Sequence, residues 1–444
     1  MEHKKFNYKS LDELRKEIQR ISPTIPISDN IDILFSPKKI GKRVVENRLV
    51  VDPMEGRDAD ETGKPTELTY KRYSQYARGG CGTIWFEGCC TTLEGRSSNR
   101  QLVLNEANRK DFAALLKHTK KENSDVMGRR ISPLMILQLQ DTGRNRNTMF
   151  SKRLVVDHNP YLRNASVDEK LADDNEIEEL ENTFIQSARI AYEIGFDGID
   201  IKCCNGYFAA DLLSARARNG RFGGDFMNRI RFLLDVVDGV REVTSDDFLI
   251  TTRLGLYDGI PYPFGWGTGK GDNAIPDLEE PLELLAELEK HGVSLVSVSN
   301  GVPEISAHLI RPFNNPPRGG ELPSVHPLES IELNVQSFQT SKNKVSGIVY
   351  VGSSMSWLRQ FLPNVGAALI ENGIVDMVGL GRMSFAYPDF AKDLANNGVI
   401  DIERVCVACT MCTQLLIWDK PTGCVVHNEE PYGRVYKEAL KKYL

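Results

Sequence analysis

Eight short apolar runs, separated by longer amphipathic stretches, constrain this 444-residue chain more than any other feature. The runs fall at 49–52, 83–86, 134–138, 198–202, 248–253, 295–299, 348–351 and 377–380. Helical patterns lie between them, among them 111–121, 177–194, 230–243, 281–291 and 357–372. Continuous apolar strands alternating with helices signal parallel strands buried on both faces. Eight such units predict an α/β fold, a (β/α)8 TIM barrel with enlarged loops. A doubly wound sheet would want GxGxxG at its first strand–helix turn. The sequence contains neither that fingerprint nor a P-loop, and the glycine-rich stretch 265–271 reads as loop.

The size suits one barrel with additions. Hydrophobic residues make up 41% and charged residues 26%, as in ordinary globular proteins. A net charge of −6 argues against a nucleic-acid surface. No run of eighteen apolar residues exists, so no membrane span is expected. The charged N-terminus lacks the apolar core of a signal peptide and reads as a helix, which points to a reducing cytoplasm. The expected organisation is an N-terminal helical extension at 1–30, a barrel at 31–400 and a four-cysteine segment with a tail at 401–444.

That last segment reads CVACTMCTQLLIWDKPTGC, with Cys406, Cys409, Cys412 and Cys424 as potential ligands. A tight triplet with a distant fourth thiolate suits an iron–sulfur cluster. Four thiolates also suit structural zinc, although zinc ribbons usually pair CxxC with a second CxxC. On spacing alone both metals stay open, the cluster being favoured. The other five cysteines read as small buried residues, not as a disulfide framework.

Strand ends point to chemistry at the C-terminal rim of a barrel. Here they carry Pro53-Met54-Glu55, Gly88, Gln138, Lys202, Arg253, Gly352-Ser353-Ser354 and Gly381-Arg382. Glycines after strands seven and eight, next to an arginine, offer close backbone approach, N–H donors and a cation for a phosphate. Two long loops, 258–276 and 300–325, also belong to that rim. The aromatics Tyr262, Phe264 and Trp266 in the first are expected to wall the substrate pocket.

Several segments carry a specific resemblance: LFSPKKIGKRVVENRLVVDPMEG, GGCGTIWFEG, QLQDTGR, GFDGIDIKCCNGY, LLSARARNGRFGGDFMNRIRFLLDVV and VGLGRMSFAYPDFAKDL, followed by the cysteine quartet. Over about residues 30–430 the chain resembles the old yellow enzyme family of FMN-dependent oxidoreductases. It is most similar to the iron–sulfur branch with 2,4-dienoyl-CoA reductase and trimethylamine dehydrogenase. The resemblance implies FMN across the barrel mouth and a 4Fe–4S cluster on the four cysteines. Pro53, Met54 and Glu55 would lie along the isoalloxazine, Gly88 would allow close approach, and Gln138 would bond the pyrimidine side. Arg253 would face N1 and C2=O, while Gly352, Ser353, Gly381 and Arg382 would take the phosphate. Lys202 and Asn205 would hold a substrate oxygen, and Tyr207 would give the proton.

Two positions depart from the family pattern. Lys202 and Asp141 stand where histidines are frequent. Lysine is a flexible point charge. It would hold a carboxylate or a polarised oxygen, or else pair with Asp200 or Asp141. Arg144 and Arg146 would then see an anionic substrate, and His308 is a second proton-donor candidate. The implied activity is ene-reduction of an α,β-unsaturated carbonyl or carboxylate compound. An amine dehydrogenase-like oxidoreductase is the alternative, and a flavin-free barrel with structural zinc a third reading. NADH or NADPH would reduce the flavin directly, or a separate reductase or ferredoxin-like partner would feed the cluster. An oxygen-poor setting suits the cluster, and a homo-oligomer is compatible with all three.

Overall fold

The computed structural model describes residues 2–127, 132–149, 151–162, 168–271 and 273–443. Eight parallel strands close into one barrel. They are β1 (Leu49–Val51), β2 (Thr83–Cys90), β3 (Leu134–Gln140), β4 (Gly198–Ile201), β5 (Leu249–Tyr257), β6 (Leu295–Asn300), β7 (Val349–Gly352) and β8 (Met377–Gly379). Each strand pairs with its sequence neighbours, and β8 closes on β1 through Val378↔Leu49 and Gly379↔Val50. All eight expected strands are present. Strands β2, β3, β5 and β6 run past their apolar runs, to Cys90, Gln140, Tyr257 and Asn300, and β2 shifts register against β3 between Phe86 and Cys89, where it passes Glu87.

The intervening helices form from ordinary signals. Helix Asp174–Ile194 begins at Asp173, whose side chain accepts the Glu176 N–H in a capping box, and ends at Gly195 with φ +96°. Its buried stripe, Ile177, Leu180, Phe184, Ala188 and Ala191, follows the i, i+3, i+4 spacing that turns one face to the sheet. The helix expected at 357–372 differs. Its first part, Ser356–Phe361, is a 3-10 turn broken at Arg359 (φ +52°), and the α-helix proper is Leu362–Glu371 with Pro363 in its first turn.

Strand parity divides the core. Val50, Trp85, Leu134, Ile136, Leu249, Leu295, Val349, Val351 and Met377 cluster together with Ile40 and Val45. These last two belong to an antiparallel pair, Lys38–Ile40 with Arg43–Val45, which plugs the entry end of the barrel. The opposite parity, including Leu137, Ile199, Ile250 and Val296, packs into the large cluster with the helices. Inward positions become polar toward the exit end: Ile136 to Gln138, Gly198 to Asp200, Leu249 to Arg253. The Asp200 carboxylate ties this polar layer. It accepts from Trp85 Nε1 (3.0 Å), Gln138 Nε2 (2.5 Å) and the Arg253 N–H (2.6 Å). Burial still raises its pKa to about 6.

The flanking segments dock onto the barrel. Phe6 and Tyr8 meet Trp357 edge-on at 5.2 and 6.2 Å, and Leu14, Ile18 and Ile21 of helix Leu11–Ile21 join the large core cluster. Arg72 fastens the cysteine segment. Its guanidinium ion-pairs Asp58 and Glu87, and donates to the Thr422 carbonyl (2.9 Å) and the Tyr432 hydroxyl (3.2 Å). A Cβ at Gly56 would lie 1.9 Å from that guanidinium, so only glycine admits it. Removing one partner of a buried ion pair leaves an uncompensated charge. Arg72→Met should therefore lower unfolding stability by about 3–5 kcal/mol in urea titrations. An unchanged midpoint would show that Arg72 is no such fastener.

Candidate functional site

A cavity of 700 Å³ opens at the exit end of the strands, within the usual range of cofactor pockets. Its walls come from strand ends and from the cysteine segment, which contributes Thr413, Leu416, Ile417 and Asp419. Nine of the residues expected in the site line it: Pro53, Met54, Glu55, Lys202, Asn205, Tyr207, Arg253, Gly381 and Arg382.

Four do not. Gln138 is committed to Asp200 in the layer beneath. A Cβ at Gly88 would meet the Gln140 amide at 2.3 Å, so Gln140 covers this glycine. Gly352 is enclosed by Val375 and Phe338. Ser353 donates its hydroxyl to Asp52 Oδ1 at 2.9 Å. The neighbouring Ser354 lines the cavity instead, with φ +71° and a buried Oγ that has no partner among the described residues. A serine held in the left-handed region is strained, and such strain collects at functional sites.

The turn after β4 carries Lys202, Asn205 and Tyr207, the three residues expected to meet a substrate. Asn205 (φ +63°) and Gly206 (φ +67°) curl the chain so that Lys202, Asn205 and Tyr207 share the cavity. Asparagine tolerates that backbone region better than most residues. The Lys202 ammonium donates to Gln140 Oε1 at 2.7 Å and lies 3.6 Å from the centroid of the Tyr207 ring, within cation–π range. Burial lowers the Lys202 pKa. The Tyr207 hydroxyl donates to Glu55 Oε2 at 3.4 Å. Burial, then the Glu55 charge, pushes the phenol well above its usual pKa.

The pairing expected of Lys202 with Asp200 or Asp141 is not what forms. Asp141 is held by Arg146 at 2.7 and 3.0 Å, and Asp200 by the three donors beneath. Arg144, which lines the cavity, pairs with Asp211 at 2.6 Å. None of the loop aromatics lines this cavity, although Trp266 lines a small neighbouring pocket with Asn205 and Gly206. Trp266 Nε1 bonds the Gly255 carbonyl at 2.9 Å, and Phe264 packs on Leu162, Ile260 and Val302. His308 is off the cavity wall.

Two cavity arginines escaped sequence reasoning. Arg57 pairs with Glu55 and Asp419, both at 3.1 Å. Arg311 makes no ion pair among the described residues, and burial with the nearby Arg382 charge pushes it down to about 10. Arg382 donates to the Pro312 carbonyl at 2.6 Å, yet its Nη1 is buried without a partner among the described residues. Arg253 Nε and Asn205 Oδ1 are likewise unpartnered there. Buried charges are normally paired. Unpaired cations around one cavity are therefore what an anionic ligand would satisfy, and they fit FMN.

The four cysteines carry free thiols; their segment walls one side of this cavity, but none of the four lines it. Positive φ at Ala408 (52°) and Thr410 (61°) curls the loop around them. The Ala408 N–H donates to Cys406 Sγ and the His427 N–H to Cys424 Sγ, both at 3.4 Å. Burial raises Cys412 to about 11 and Cys424 to about 12, and the Cys406 charge adds to each. No group of three or more His, Cys, Asp or Glu among the described residues is gathered as a metal ion would require.

A family model described as the NADH:flavin oxidoreductase / NADH oxidase family matches residues 33–263. The chain belongs to that family. Within the NADH:flavin oxidoreductases, a metal reductase of Desulforamulus reducens is 24% identical over 403 residues, 90% of this chain and 54% of that protein. An NADH oxidase of Thermoanaerobacter brockii is 27% identical over 383 residues, 85% of this chain and 53% of that protein. The chain thus spans about half the length of these two relatives. An NADPH dehydrogenase of Bacillus subtilis is 26% identical over 369 residues, 82% of this chain and 94% of that protein. A 2-naphthoyl-CoA reductase complex superposes with TM-score 0.73 at 21% identity, covering 89% of this chain and 57% of that one. Histamine dehydrogenase from Rhizobium sp. 4-9 gives TM-score 0.67 at 23% identity, with 89% and 52% covered. Both show the shared barrel fold.

Replacing Arg382 tests the anion site. Arg382→Ala should weaken FMN binding about 10- to 100-fold, the worth of a charge-assisted hydrogen bond. Quenching of FMN fluorescence by the apoprotein measures it. Unchanged affinity would place the phosphate elsewhere.

Proposed function

We propose that this protein is an FMN-dependent ene-reductase of the old yellow enzyme type, reducing the C=C bond of an α,β-unsaturated carbonyl or carboxylate compound. The observation that carries this reading is the convergence of Lys202, Asn205 and Tyr207 on a cavity rimmed by unpaired cations. Arg382, Gly381, Ser354 and Arg311 would hold the phosphate, and Arg253 would face the ring edge that gains negative charge on reduction. Bound FMN supplies two-electron hydride chemistry, with NADH or NADPH as a source of reducing equivalents.

The chain's own residues do the rest. Lys202 and Asn205 orient the substrate oxygen and stabilise the charge that develops on it. Tyr207 holds its proton well beyond its usual range and delivers it to the α-carbon as general acid. Since burial first, then the Glu55 charge, raises that pKa against the opposing Arg57 charge, alkene reduction should lose no rate to Tyr207 ionisation up to about pH 10. Stopped-flow reoxidation of reduced enzyme across pH reads this, and an ionisation of Tyr207 near neutrality would contradict it. Tyr207→Phe should slow reoxidation by alkene about 100- to 10,000-fold while flavin reduction proceeds. Equal loss in both half-reactions would remove Tyr207 as the acid.

Cys406, Cys409, Cys412 and Cys424 are proposed to hold a 4Fe–4S cluster that relays single electrons to or from a separate carrier. Backbone N–H groups aimed at two sulfurs favour thiolates, as cluster ligands must be. Each thiolate of such a cluster binds a different iron, so the ligands spread wider than around one ion. The proposed organisation keeps an N-terminal extension at 1–30, the barrel at 31–400 and the cluster segment at 401–444. Cys412→Ser should lower the iron content of anaerobically prepared protein while FMN binding persists, read by iron assay and flavin absorbance. Retention of full iron would exclude Cys412 as a ligand.

A further inference from the structure

We propose that Lys202 is a carboxylate-recognition residue, so that the substrate's activating group is an acid anion and not a neutral carbonyl. The inference deepens the proposed function and rests on it for the identity of the flavin site.

An inventory of charge leads to it. Six cations line the cavity: Arg57, Arg144, Lys202, Arg253, Arg311 and Arg382. Arg57 is paired with Glu55 and Asp419, and Arg144 with Asp211. Arg311 and Arg382 suffice for a phosphate, and Arg253 for the electron-accepting edge of a flavin. Lys202 remains, with no ion pair among the described residues, although it is only 8% exposed. The carboxylates around it are already engaged, Asp200 by three donors, Asp141 by Arg146, and Glu55, whose charge also acts on Lys202, by Arg57 at 3.1 Å.

Its position is fixed from two sides. Gln140 Oε1 accepts one N–H at 2.7 Å, and the Tyr207 ring lies under the nitrogen at 3.6 Å. Gln140 is itself seated over Gly88, bonding its carbonyl at 3.3 Å. An ammonium has three donors, so donors remain for a ligand in the cavity. Asn205, three residues on, presents an amide whose Oδ1 has no partner among the described residues. Turned by half a rotation, that amide would offer its N–H groups to the same ligand.

The chemistry requires a full cation at this place. Hydride addition at the β-carbon of an enoate moves the C=C electron pair toward an already negative carboxylate. The resulting enediolate carries a second negative charge, which a neutral donor stabilises poorly in a closed site. The proton of Tyr207 then goes to the α-carbon, solvent restores the phenol, and the product is the saturated acid. The reductant is the reduced flavin. An uncharged enone needs no such cation and would leave Lys202 buried and unpaired.

The test uses FMN-loaded protein and three ligands with one ring skeleton: cyclohexanecarboxylate, its methyl ester and cyclohexanone. Being saturated, they report binding through the flavin absorbance without turnover. The acid should bind about 10- to 100-fold more tightly than the ester or ketone. Lys202→Met should erase that preference, and Lys202→Arg should keep most of it. Reduction of the bound flavin by dithionite confirms that each variant retains its cofactor site. Equal binding of acid and ester by the wild type, or an acid preference that survives in Lys202→Met, would overturn the proposal. Turnover of cyclohex-1-ene-1-carboxylate against its ester is read separately. If neither reoxidises the flavin while acid binding still depends on Lys202, the ene-reductase reading falls and the recognition site stands.

Discussion

Unpaired positive charge inside the barrel mouth is the constraint on which the site depends. Lys202, Arg253 and Arg382 are all 9% exposed or less, and none makes an ion pair among the described residues, although Glu55 acts on Lys202, and Asp52 and Asp200 feel Arg253. Burying such charges without partners is costly. Packing and hydrogen bonds hold them in place: Asp200 anchors the Arg253 backbone, Pro312 the Arg382 guanidinium and Gln140 the Lys202 ammonium. The scaffold therefore supports an electrostatic arrangement that an anion completes. A preorganised site of this kind needs little reorganisation when charge appears.

The barrel makes that possible through its inward-facing column. At the entry end the column is aliphatic, sealed by Ile40 and Val45. Further along β3, β4 and β5 it becomes hydrogen-bonding at Gln138 and Asp200, and toward the exit charged at Lys202 and Arg253. Because strand side chains alternate with a period of two, every second residue of a strand reaches the interior, and alternate strands fill successive levels. The cysteine segment then covers one side of the mouth, with Arg72 and Thr422 joining it to the strand ends. Arg311 acts from the same wall, its charge felt by both Tyr207 and Cys412. The proposed flavin and cluster sites thus share a wall.

Much of this was legible in the sequence, for identifiable reasons. The eight strands were readable because each is an uninterrupted apolar run between helical patterns, which only a doubly covered parallel sheet explains well. Lys202, Asn205, Tyr207 and Arg382 were readable because they follow strands directly, and Arg253 because it ends an apolar run inside β5. What sequence could not give was side-chain direction at irregular backbone. Ser353 and Ser354 are chemically identical, and only the left-handed conformation of the second aims it into the cavity. Gln138 and Asp200 share a ladder level, but their bond depends on a register that no local pattern encodes. Arg311 and Arg57 lie in loops, where proximity to the mouth is a tertiary property. The loop aromatics were misplaced for the same reason, since Trp266 is held by Gly255 and not by a ligand.

The central claim is that one mouth joins a flavin site to a cysteine-held cluster. It is tested most directly by preparing the full chain without air, with iron, sulfide and riboflavin in ample supply, and recording its absorption spectrum alongside flavin and iron assays. The account predicts a yellow-brown protein with about one FMN and about four iron atoms per chain. A colourless protein containing zinc and no flavin would contradict it.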